Sequence, residues 1–104
     1  MTFYTEETGY KKTALSDLQG AWENLSEEVV RTGPFPESDR LLFHIHEAMS
    51  WESVRNLEHM GKVLLVIQNI ATQAEAPEAV IEWVRIVREA YEEVIDAFEE
   101  GEIE

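Results

Sequence analysis

No cysteine occurs among the 104 residues. That excludes a disulfide framework and any thiol or Cys-ligated metal chemistry. Cations are scarce: eight Lys and Arg stand against 22 Asp and Glu, a formal net charge of −14. Direct binding to nucleic acid or to an anionic membrane needs Lys/Arg patches, so this balance argues against both. No apolar run approaches the roughly 18 residues of a membrane span. Only three prolines and five glycines punctuate the chain, and no repeat or low-complexity tract is visible. The opening Met1-Thr-Phe-Tyr-Thr-Glu-Glu does not read as a signal peptide, so the expected location is the cytoplasm.

What is present is enough for a core. The 44% apolar content includes three Trp, so acidity does not imply disorder. The length suits a single domain, residues 1–104. Of the acids, 19 are Glu and three are Asp, a bias toward helix formers rather than a general halophilic coating.

Apolar periodicity predicts an all-α fold: an antiparallel bundle of three long helices, the middle one broken or kinked, hence three to four helices. Residues 1–12 are expected to form a short arm carrying Phe3, Tyr4 and Tyr10. Helix A is expected over 13–31, capped by Thr13 or Ser16, with a seam of Leu15, Leu18, Trp22, Leu25 and Val29. Gly20 reads as room for a close helix crossing. Thr32-Gly-Pro-Phe-Pro36 ends the helix, and Phe35 is expected to tuck into the core.

Residues 38–75 carry the second apolar face, which slips phase near 49–51, where Ser50 offers a new N-cap. An unbroken helix over that stretch would span about 57 Å. Its second part, Val63-Leu-Leu-Val-Ile67, is apolar all round and predicts the central, most buried helix. Gly61 reads as a close-packing point. Helix C is expected over 77–100. Val80, Val84, Val87, Tyr91, Val94 and Phe98 form its seam, widened by Trp83, Ile86, Ala90 and Ala97.

Chemistry-bearing patterns are few. His44 and His46 point about 200° apart on a helix and cannot share a metal. His44 with Glu47 is one usable pair that needs ligands from elsewhere. These histidines, and His59 beside Glu58, read as polar residues bordering the core. No bound metal, cofactor or catalytic residue is expected. Glu89-x-x-Glu92 and Glu93-x-x-Asp96 resemble the acidic magnesium motifs of the all-α nucleoside triphosphate pyrophosphatases. That resemblance implies magnesium-dependent nucleotide hydrolysis, but in those families two such motifs face each other from different helices. Here both lie on one helix.

The acidic face of helix C carries the functional expectation. Glu82, Glu89, Glu92, Glu93, Asp96, Glu99 and Glu100 lie opposite the seam, and no Lys or Arg interrupts them from Glu89 onward. Like charges at these spacings repel, and acids at a helix C-terminus oppose its dipole. Carboxylates about 5 Å apart along the axis imitate the regular charge of a nucleic-acid strand, one phosphate per roughly 3.4 Å. In this small, acidic, helical, cysteine-free character the chain resembles the phage-encoded anti-restriction and anti-CRISPR inhibitors. That resemblance implies a non-enzymatic protein that binds a basic protein surface, in the host cytoplasm if the gene is carried by a phage. The alternative is a helical structural or assembly subunit whose acidity serves solubility. Helix C's wide apolar face adds homodimerisation to the expectations.

Overall fold

The computed structural model describes the backbone of residues 2–53 and 56–97, with side chains for 14–51 and 56–97. The described residues form four helices: α1 (Thr2–Thr32), α2 (Ser38–Ser53), α3 (Leu57–Gln73) and α4 (Glu78–Ala97). The fold is all-α, with no strand among these residues. Short links oblige consecutive helices to run antiparallel. Contacts between Ser26 and His46, Trp51 and His59, and Tyr91 and Leu57 agree with that course. Each helix packs on two others, α1 on α4 and α2, and α3 on α2 and α4, while among the described residues the diagonal pairs make no close backbone approach. The molecule measures 50 × 22 × 18 Å, and α1, about 46 Å long at 1.5 Å per residue, runs nearly its whole length.

The seams converge as the apolar spacing requires. Leu18, Trp22, Leu25 and Val29 of α1 are buried together with Leu41, Ile45 and Ala48 of α2. Met60, Val63, Leu64 and Ile67 of α3 join them, as do Val80, Val84, Val87 and Val94 of α4. Tyr91 and Phe35 are half-buried against this core. Phe98 lies outside the described residues.

Four expectations need correction. Residues 2–12 are helical, not an arm, so neither Thr13 nor Ser16 caps a helix. No proline interrupts them, the single Gly9 costs only about 1 kcal/mol, and extending an existing helix is far easier than nucleating one. The middle segment is broken rather than kinked, into two helices folded back on each other as a hairpin, but the break falls after Ser53 rather than at Met49–Trp51. Asn56, not Ser50, is the N-cap: its Oδ1 accepts from the His59 N–H at 3.1 Å, and its own N–H donates to the Trp51 carbonyl at 2.9 Å.

The remaining two corrections concern packing. α3 is not a central helix: Val63, Leu64 and Ile67 are buried, but Leu65 is 62% exposed and Val66 39%. Four helices in a ring leave every member one outer face, whatever its sequence. Gly20 marks no close crossing, since a Cβ there would meet nothing within 4 Å. Gly61 does mark one: a Cβ there would collide with the Tyr91 hydroxyl.

Both visible links carry a residue in the left-handed region. In Phe35-Pro-Glu-Ser38, the Ser38 N–H donates to the Phe35 carbonyl at 2.9 Å, and Glu37 has φ 70°. That is a turn with Pro at its second position and positive φ at its third, where glycine is usual. α3 ends with Ala76 N–H donating to Ala71 O at 3.0 Å and Glu75 N–H to Thr72 O at 3.2 Å. This pair of bonds is the Schellman closure, and Glu75, at φ 54°, occupies its glycine position.

Candidate functional site: the acidic face of α4

α4 presents two opposed faces. Val80, Val84, Val87, Val94 and Ala97 are buried, while Glu82, Glu89, Glu92, Glu93 and Asp96 are exposed. At 100° per residue these five acids fall within an arc of about 100°, which makes one continuous surface. Glu99 and Glu100 lie outside the described residues.

The face is not electrostatically uniform. The Arg85 guanidinium bonds to Glu82 and, through Nη1, to Glu89 Oε2 at 2.8 Å. The hydrogen bond to Glu82, then the charges of Glu82 and Glu89, push the Arg85 pKa further up. One cation therefore holds the first part of the face together. Glu92, Glu93 and Asp96 have no ion pair among the described residues. Sequence spacing located the stripe, but it did not divide it into a compensated and an uncompensated half.

The motifs Glu89-x-x-Glu92 and Glu93-x-x-Asp96 sit on this same outward face. Among the described residues, no group of three or more His, Asp or Glu is arranged to hold a metal ion. The histidines are dispersed. His44 Nδ1 lies 3.0 Å from Glu47 Oε1, His46 Nε2 lies 3.3 Å from Ser26 Oγ, and the His59 ring packs at a tilt of 44° on Trp51 with centroids 4.2 Å apart.

Three features escaped the sequence reading. Glu28 is buried at 3% exposure, its carboxylate bonded to the exposed Arg31. Its i, i+3 partner was readable, its burial was not. Among the described residues, the buried Trp22 indole N–H has no hydrogen-bond partner. Hollows also border α3. One, of about 610 Å³, lies at the bundle end between Pro36, Glu37, Arg40, Asn69 and Glu75; another, of about 380 Å³, lies between α3 and α4.

No family model matches the chain, and neither the curated proteins nor the solved structures include a significant match. The surface chemistry therefore has to carry the functional reading.

Proposed function

We propose that this is a non-enzymatic binding protein that docks a basic protein surface through the acidic face of α4. It belongs in character with the inhibitors that imitate nucleic-acid charge to occupy a nuclease or an RNA-guided effector. The observation that carries this reading is the uncompensated group Glu92, Glu93 and Asp96, exposed together where the α4 dipole disfavours acids. A chain selected only for stability gains by placing Lys or Arg there, and this one places none in the last turn of α4. The alternative, a helical assembly subunit or homodimer, draws on Phe43, Val30 and Leu65, each more than half exposed. α4's own apolar face no longer favours it, because the core occupies that face.

The test neutralises Glu89, Glu92, Glu93, Asp96, Glu99 and Glu100 to Gln or Asn. Competition for DNA binding by purified restriction and RNA-guided nucleases is then measured at low and high salt. The native chain should compete at low salt and lose potency as salt rises. The neutralised chain should remain folded and lose competition chiefly through slower association. Unaltered competition and salt dependence in that variant would end this reading and leave the face a wet helix surface.

A further inference from the structure

The groove between α3 and α4 has a composition unlike the rest of this surface. Five cations have described side chains. Arg31 pairs with Glu28, Arg40 with Glu37, and Arg85 with Glu82 and Glu89. The other two, Lys62 and Arg88, have no ion pair among the described residues, and both line this groove. Its walls are mostly apolar: Gly61, Leu64, the exposed Leu65, and Tyr91, whose hydroxyl is already bonded to the Leu57 carbonyl. Its volume of about 380 Å³ lies within the roughly 300–1,000 Å³ of small-molecule sites. Gln68 and Arg88 are shared with a further hollow of about 200 Å³, lined also by Thr72, Ile81, Val84 and the already paired Arg85.

We propose that this groove binds a single-chain amphiphilic anion, a carboxylate headgroup on an unbranched apolar tail, free in solution. The headgroup lies between Lys62 and Arg88, where each can donate a charge-assisted hydrogen bond. Glu58 and Glu92 line the end one helical turn away and repel an anion there. The headgroup is thereby confined to the cations. The tail runs the other way, over Leu65 toward Ile81. From Arg88 to Ile81 is seven residues, roughly 10 Å along α4, a reach suited to a medium-length chain. Gly61 lets the Tyr91 ring, which walls the groove, seat against α3, since a Cβ there would collide with its hydroxyl. This site is separate from the proposed docking face, although Glu92 borders both.

Titration calorimetry with sodium decanoate below its micellar concentration tests the proposal, with decanol and decyltrimethylammonium as probes of the same length. One decanoate should bind per chain, in preference to the other two. A Lys62→Gln/Arg88→Gln variant, with melting checked by circular dichroism, should bind it about tenfold more weakly or worse. A Glu58→Gln/Glu92→Gln variant should bind it more tightly, which a merely greasy groove would not do. No decanoate binding, equal binding of all three probes, or an unchanged affinity in the Lys62/Arg88 variant would overturn the proposal. Binding only to phosphatidylglycerol vesicles, and not to monomeric decanoate, would overturn it in favour of a membrane surface.

Discussion

The Tyr91 hydroxyl of α4 donates to the Leu57 carbonyl at the start of α3 at 2.9 Å, in the space that Gly61 leaves open. Burial, then the nearby charge of Glu58, raises the Tyr91 pKa above its ordinary value. The neutral phenol is therefore favoured by folding. Its contribution is complete below the unfolded tyrosine value of about 10 and falls as pH rises above that value toward the folded pKa. Urea melts of the native chain and Tyr91→Phe should differ by a constant amount, about 0.5–1.5 kcal/mol, below that pH. The gap should narrow above it. A gap that holds constant to pH 11 would mean that the phenol ionises freely in the folded state.

One substitution should have opposite signs at two mid-helix glycines. Gly20→Ala meets open space and should stabilise by about 0.5–1 kcal/mol through helix propensity alone. Gly61→Ala gains the same propensity but drives a methyl into Tyr91, and overpacking of that kind costs about 1–3 kcal/mol. Thermal melts of the two variants, run side by side, should bracket the native chain.

The two glutamates at positive φ make a third case. Glu75→Gly and Glu37→Gly relieve a left-handed conformation that costs a non-glycine residue about 1–2 kcal/mol. The flexibility glycine adds to the unfolded chain offsets part of this. Each variant should melt higher, Glu37→Gly by slightly less because it also gives up the exposed pair with Arg40. A lower melting temperature in both would show that the side chains do more for the fold than the backbone conformation costs.

Adjacent residues of one apolar run should respond unequally. Leu64→Ala and Ile67→Ala remove buried side chains and should cost about 2–5 kcal/mol. Leu65→Ala should stay within about 0.5 kcal/mol, because its side chain is mostly in water. Denaturant midpoints would show this directly.

Within the acidic face, the two halves should separate. A Glu92→Gln/Glu93→Gln/Asp96→Asn variant should lose most of the competition described above and melt no lower than the native chain, since like-charge repulsion is relieved. A Glu82→Gln/Glu89→Gln variant strips Arg85 of both partners. It should keep most of its competition and surrender a little stability. The reverse ranking would place recognition on the first part of α4.

These contrasts mark what a single sequence can convey. The α4 seam was legible because Val80, Val84, Val87 and Val94 repeat at helical spacing and are all buried. For α3, helical spacing puts Leu64 on one stripe with Met60, Ile67 and Ala71 and leaves Leu65 off it. Whether the off-stripe residues of an apolar run are also covered was not legible, because only the placement of neighbouring helices decides that. The break in the middle segment announced itself as a change of phase, but its position depended on which polar side chain reached a free N–H. Asn56 does so and Ser50, inside α2, does not serve as that cap. The acidic stripe could be read from spacing, whereas the groove beside it depends on how α3 and α4 sit against each other.

The ring of four helices also has an order of assembly written into it. The most extensive pairing joins α1 to α4, the two helices furthest apart along the chain, while α2 and α3 meet across a very short link. Joining α1 to α4 without that hairpin in place closes a loop of about 45 residues, which costs roughly 2 kcal/mol more chain entropy than a link of a few residues. Local pairing is therefore expected to come first, with α1 and α4 zipping together once the hairpin has shortened the distance between them. In kinetic terms, truncating Ile45 or Met60 should slow folding, whereas truncating Trp22 or Val87 should chiefly hasten unfolding.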